Sequence, residues 1–378
     1  MEVFMKLAVV FWVLGAGMAQ AGFDSIEELG EALFFDVNLS QNRTQSCASC
    51  HNPDQAYVDT RQTDAGLAFS LGDDGESLGD RNAPTITYAR EVPLFQVNDM
   101  GFYMGGQFLD GRAHDLAAQA GGPPLNPIEM GMPDKASVVL RLAENTDYVA
   151  ALKAYFGADV ADVEAAFDAM TQAIAAYERT DLFAPYDSKY DRAVRGDYVM
   201  TPQEALGQDL FFDKERTNCS LCHFGNEKPA SAGELFTAHE YFNLGVPTNV
   251  PGRKANGVLV GKIDFGLLGN PEVNDVIEMG KFRTPTLRNV AVTGPYMHNG
   301  IFNDLRTVVL FYNRYNTDDP EWQINPETGK PFGWPEVPKT LAVRELTHGP
   351  ALSNDEIDAL VAFMETLTDA RYEDLLQE

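Results

Sequence analysis

Basic residues are scarce in this chain. Its 378 residues include 28 Lys and Arg against 56 Asp and Glu, a formal net charge of −28. Nucleic acids and anionic membranes are held by local positive charge, so neither is expected as a main partner. Cysteine is scarcer still, with four in the whole chain. That is too few to staple a fold of this length. Disorder is excluded too, because 44% of the residues are hydrophobic. At about 150 residues per domain, the length predicts two domains, each able to bury a core.

Long apolar runs are absent except at the start. Residues 5–21 read MKLAVVFWVLGAGMAQA. Lys6 is a positive n-region, Leu7 to Leu14 are continuously apolar, and Ala19-Gln20-Ala21 is a small-x-small cleavage site. The pattern predicts a secretory signal peptide over 1–21, cut before Gly22. The run is shorter than the roughly 20 residues that span a bilayer. The expected mature protein is exported and not membrane-embedded, most simply in a bacterial periplasm.

All four cysteines fall in two identical patterns, Cys47-Ala-Ser-Cys50-His51 and Cys219-Ser-Leu-Cys222-His223. CxxCH reads as c-type haem attachment. Two thiols one helical turn apart each form a thioether to a haem vinyl group, and the next residue faces the iron as proximal ligand. Redox CxxC motifs do not require the following His. A zinc site would cluster its CxxC pairs, whereas these lie 172 residues apart. Local CxxC disulfides are strained and usually catalytic. Two covalent haems are therefore expected, with His51 and His223 as iron ligands.

The motifs sit in a longer repeat. Leu29 to Asp36 and Leu206 to Asp213 both fit LGxxLFFD, an amphipathic helix preceding each CxxCH. Ala83-Pro84-Thr85-Ile86 parallels Thr284-Pro285-Thr286-Leu287, and Asp115-Leu116 parallels Asp304-Leu305. Each half closes with an apolar-periodic helix, Val163 to Tyr177 and Asp355 to Leu367. Thr201-Pro202-Gln203-Glu204 reads as an N-cap with Pro at the first helical position. The expected fold is mainly α: two cytochrome c-like haem domains, 22–195 and 196–378, related by internal duplication and carrying long loops. Residues 224–280 and 316–340 are the loop-rich parts, expected to wrap haem edges or form a docking surface. The second stretch holds Trp322 and Trp334.

With His51 and His223 spent on iron, His114, His239, His298 and His348 remain. A simple electron carrier fills both axial positions of each haem. The first half offers His114, Met100, Met104, Met130 and Met132. His114 follows Gly-Arg-Ala at a helix start, where surface or capping roles are commoner, so the first iron lacks an evident sixth ligand. Near it in sequence, Gln107 to Met130 carries Gln119 and Glu129 among Gly and Pro. A carboxylate could move a proton between peroxide oxygens and an amide could orient them; an ordinary polar loop is the other reading.

LGxxLFFD before CxxCH, DGRAxxLxxQAxxP followed by NPxEM, and LRNVAVTGPYMHNG at 287–300 together resemble the dihaem cytochrome c peroxidase/MauG superfamily over nearly the whole mature chain. The likeness is greatest to its MauG branch, which oxidises paired tryptophans to complete the quinone cofactor (TTQ) of methylamine dehydrogenase. The peroxidases carry a capping His in the loop that here runs from Ser70 to Arg81, where there is none. The resemblance therefore implies a first haem open to hydrogen peroxide. The peroxidases also place a Met fourteen residues after the His of the HxG element. Counting from His298 gives Tyr312, and MauG also uses Tyr there.

The same resemblance implies Gln119, Pro123 and Glu129 on the distal side of the first haem. It places Tyr312 opposite His223 on the second. Asn82, with the carbonyls of Thr293 and Pro295, would hold a calcium between the domains. The rival calcium reading, the loop Asp73-Asp74-Gly75-Glu76, lacks EF-hand spacing and reads as a solvated face. Two positions depart from MauG. Leu109 and Thr217 stand where that branch has tryptophans, between the haems and on the route to the protein substrate. The activity implied is peroxide-driven formation of high-valent haem iron, spent on a quinoprotein precursor. The alternatives are a cytochrome c peroxidase fed by a small cytochrome or cupredoxin, and a non-enzymatic dihaem electron carrier.

Overall fold

The computed structural model describes residues 22–223 and 233–377. The signal-peptide expectation for 1–21 lies outside them. The fold is mainly helical, as expected.

The first half opens with α1 (Ile26–Phe34), capped by the Ser25 side chain, and α2 (Cys47–Cys50). After a hairpin of β1 (Gln96–Val97) and β2 (Tyr103–Met104), paired Gln96 to Met104, come the short α3 (Leu116–Ala120) and α4 (Gly122–Leu125). Then follow α5 (Lys135–Ala143), α6 (Thr146–Phe156) and α7 (Val163–Glu178). Leu29, Leu33 and Phe34 of α1 pack against Ala173, Ile174 and Tyr177 of α7 in one hydrophobic core.

The second half runs α8 (Lys189–Arg195), α9 (Pro202–Phe212), α10 (Cys219–Cys222), β3 (Tyr241–Phe242) and α11 (Val250–Ala255). It continues with β4 (Phe282–Arg283), α12 (Leu305–Asn313), the pair β5 (Ile324–Asn325) and β6 (Lys330–Pro331), α13 (Val343–Leu346) and α14 (Asn354–Glu365). β3 pairs antiparallel with β4, Tyr241 opposite Arg283. Thr201 caps α9 in a capping box with Glu204, and Pro202 stands at its first turn, as the sequence predicted. Leu210 and Phe211 of α9 share a second core with Leu360 and Phe363 of α14, and Tyr190 of α8 is buried in it.

The glycine of LGxxLFFD explains how each pair of helices approaches. A Cβ on Gly30 would lie 2.0 Å from Ala173 O, and one on Gly207 would lie 1.9 Å from Ala359 O. Only glycine allows this contact in either half.

A seam of buried polar groups ties the halves together. Asp369 accepts from Tyr88 Oη at 2.5 Å and from Asn289 Nδ2 at 2.8 Å. Tyr88 and Asn289 both have positive φ, at 60° and 61°. Within the second half, the fully buried Arg288 pairs with Asp191 of α8 at 2.5 Å.

Candidate haem sites

The two CxxCH segments form single helical turns, and in each the His is the C-cap. His51 Nδ1 lies 3.2 Å from Tyr57 O, and His223 Nδ1 lies 3.2 Å from Phe236 O. Holding Nδ1 on a carbonyl fixes the tautomer and leaves Nε2 for a metal. Burial lowers the pKa of His51 and pushes that of His223 down to about 4, so both rings are neutral and ligation-competent. The following segments repeat the bracing: Thr85 Oγ1 donates to Ala56 O at 2.6 Å, and Thr286 Oγ1 to Leu235 O at 2.7 Å.

The four thiols are unbridged. Burial pushes Cys50 up to about 11 and Cys222 up to about 12. A redox CxxC needs a depressed pKa, and burial here acts in the opposite direction. The donor set fits covalent haem instead.

The second CxxCH opens onto a large cavity. Cys219, Cys222 and His223 line it together with Tyr312, and Leu287, Val309, Leu360 and Met364 make apolar wall. Tyr312 projects from α12, whose N-cap is Asp304. Burial raises its phenol pKa, and the nearby thiols of Cys222 and Cys219 add to the rise. A bound cation would act in the opposite direction.

The distal candidates of the first half lie on short, irregular elements. Gln119 is in α3, capped by Asp115, and Pro123 is in the first turn of α4. The carbonyl of Pro123 accepts from Asn126 N and Met130 N, both at 3.2 Å, folding the chain back on itself. That bend brings Glu129 within electrostatic reach of Cys50. Burial raises the pKa of Glu129, and Arg112 opposes the rise. Arg112 stacks on Phe108 with its guanidinium carbon 3.8 Å from the ring centre.

Of the other possible first-half ligands, Met130 and Met132 belong to the first core, Met100 is exposed and His114 is on the surface. Asn82, Thr293 and Pro295 line the same large cavity. Asn82 Nδ2 donates to Ala68 O at 3.2 Å, which leaves its amide oxygen as an acceptor. No cluster of three His, Cys, Asp or Glu able to hold a metal occurs among the described residues. Leu109 and Thr217 also line the cavity.

One reading needs correction. Asp73 is not part of a solvated face: it is 6% exposed. Its carboxylate accepts from the amides of Asn42 and Thr44 and from Thr44 Oγ1, which hold its pKa below the usual carboxylate range. Its own N–H donates to Glu129 O at 2.7 Å. The charge count of the loop hid a carboxylate that turns inward to satisfy backbone donors. Two buried groups also escaped the sequence reading. Glu178, at the end of α7 beside Cys47, is pushed up to about 8 by burial, and Arg283 lines the large cavity. Nothing in a linear pattern marks either, because burial is decided by distant segments.

The di-haem cytochrome c peroxidase family model matches residues 24–199. The methylamine utilization protein MauG of Paracoccus denitrificans is 51% identical over 98% of this chain and 96% of its own length. The chain belongs to this family. Cytochrome c551 peroxidase of Nitrosomonas europaea is 31% identical over 90% of the chain and 79% of its own. Among solved structures, the diheme peroxidase BthA of Burkholderia thailandensis superposes with a TM-score of 0.81 at 33% identity. That match covers 93% of this chain and 87% of the other. The protein is a MauG-like dihaem oxidoreductase of the peroxidase class, and the family carries two c-type haems.

Proposed function

We propose that this protein is a periplasmic enzyme that activates hydrogen peroxide at the haem of Cys47 and Cys50 and oxidises a protein partner. The observation that carries this reading is Tyr312 sharing one cavity with His223, while Glu129 stands near Cys50. Haem held at the second site would then have both His223 and Tyr312 as candidate ligands, and haem held at the first would have a carboxyl nearby to carry protons. Bound haem supplies the redox chemistry.

The chain supplies the rest. His51 and His223 would hold the two haem irons, and Tyr312 would offer a phenol oxygen to the second. Glu129 holds and moves the proton between peroxide oxygens, and its raised pKa suits an acid. Gln119 orients the peroxide and Pro123 borders it. The Asp73 N–H steadies the Glu129 backbone. Asn82 and the carbonyls of Thr293 and Pro295 would hold calcium, their neutral oxygens suiting a hard cation.

The domain reading is two haem domains, 22–195 and 196–378, related by duplication; the matched glycine contacts and histidine braces support it. Export rests on the leader pattern of 1–21. No described helix is long and apolar enough to cross a membrane.

The partner proposed first is a quinoprotein precursor such as that of methylamine dehydrogenase, on the 51% identity to MauG. Leu109 and Thr217 favour a second reading, in which a small cytochrome or cupredoxin donates electrons and the enzyme is a cytochrome c peroxidase, because neither side chain can carry a hole. The test is the diferric protein as isolated. It should show one high-spin haem and react with peroxide without prior reduction. A spectrum that peroxide leaves unchanged until one electron is added refutes the open-site reading; two low-spin haems would indicate a carrier.

A further inference from the structure

Arg283 is buried, and no carboxylate among the described residues pairs with it. Its Nη1 lies 3.4 Å from His239 Nδ1 and its Nε 3.5 Å from Phe108 O, both at the outer limit of hydrogen bonding. The other buried arginines are treated differently. Arg288 has Asp191 at 2.5 Å, and Arg253 has Glu336 at 3.9 Å. An isolated buried guanidinium is strongly unfavourable, and arginine cannot discharge itself by losing a proton. Burial duly lowers its pKa, opposed by the phenol of Tyr241. An anion is what this position lacks.

The neighbouring histidine points the same way. Arginine only donates, so His239 Nδ1 is the acceptor in their contact and the neutral ring carries its proton on Nε2. That Nε2 is buried without a partner. Two unspent donors therefore stand side by side. Arg283 lines the cavity that also holds Cys219, Cys222 and His223. Its backbone N–H donates to Leu109 O at 2.9 Å, and Leu109 lines the same cavity.

We propose that Arg283 is the binding site for a propionate of the haem attached at Cys219 and Cys222. The guanidinium neutralises the propionate and keeps it ionised. It would thereby set the charge felt by the second haem. This rests on haem attachment alone and not on the peroxide chemistry.

The experiment uses the holoprotein, whose haems stay attached through thioethers, in a redox titration followed optically from pH 5 to 9 without peroxide. Arg283→Gln should shift the redox equilibrium of the second haem toward the ferric form by about tenfold, which is 59 mV for one electron. It should also introduce a pH-dependent slope as the released propionate titrates. Arg283→Lys keeps the charge but loses the fork, so a smaller shift in the same direction is expected. It decides the matter if the Gln variant fails to fold. The proposal is overturned if the folded variants keep the wild-type potential and slope, or if only the first haem shifts.

Discussion

His51 and His223 are braced by carbonyls at the same 3.2 Å, and Gly30 and Gly207 press the same way onto the closing helix of their half. The segments proposed to serve the other side of each haem differ between the halves. The second half presents Tyr312 from a regular nine-residue helix, α12. The first presents Gln119, Pro123 and Glu129 from two short turns and a bend. A helix holds one atom at a fixed place, which suits a permanent ligand. A bend stitched by backbone hydrogen bonds holds several polar groups around a space, which suits a substrate. On the proposed reading, one proximal scaffold supports two uses, and the distal wall decides between them.

The sharpest way to break this comparison is to exchange what the distal walls supply. Glu129→Gln should slow the peroxide-dependent step by about 10²–10⁴-fold, the range of a general acid/base, with both haem spectra intact in stopped-flow traces. Tyr312→Phe should convert the second haem from low-spin to high-spin and leave the first unchanged. If Tyr312→Phe alters the first haem instead, the assignment of the two walls is reversed.

The buried Asp191–Arg288 pair offers the next largest effect. Asp191→Asn leaves Arg288 buried without its counter-charge, a loss of about 3–5 kcal/mol in denaturant unfolding. Arg288 holds the Asp191 carboxyl below the usual carboxylate range, working against burial. The stability from the pair is therefore present above an unfolded carboxylate pKa of about 3.9 and is lost as pH falls through the lower folded value. Acid titration of the wild type should show this loss, and the variant should be flatter in the same window.

Gly30→Ala and Gly207→Ala sharpen the likeness of the halves. Each puts a methyl about where a carbonyl oxygen already stands, so each should cost about 3 kcal/mol. A variant that unfolds at the wild-type midpoint would show that its half does not need the close contact. The smallest effect is expected at Asp73→Asn, which weakens charge-assisted bonds to Asn42 and Thr44 by about 1–2 kcal/mol. Its measurable sign is a slower peroxide step, because the loop no longer steadies Glu129. No change in that rate would leave Asp73 as a purely structural anchor.

Much of the site could be read in one dimension because its chemistry is local. A CxxCH turn needs five consecutive residues, and LGxxLFFD carries its helix, its buried stripe and its close-contact glycine together. Thr201 and Glu204 cap α9 for the same reason. Tyr312 is different. Its place after Val308-Val309-Leu310-Phe311 is that of a core aromatic, and only the resemblance singled it out; the structure adds that it lines one cavity with His223. Asp73 was misread because a loop rich in acids looks solvated, while three donors from residues 42–44 draw that one carboxylate inward.

The sequence by itself determined the haem attachment points, the proximal histidines and the helices that bracket them, since each depends on neighbours within a turn or two. Tertiary structure alone decided which polar groups are buried and against what. Asp191 meets Arg288 across 97 residues, Tyr88 meets Asp369 across 281, and Arg283 is left without a carboxylate among the described residues. Burial is a property of the whole packed chain, and a charge becomes costly, and so informative, only once water has been removed from around it.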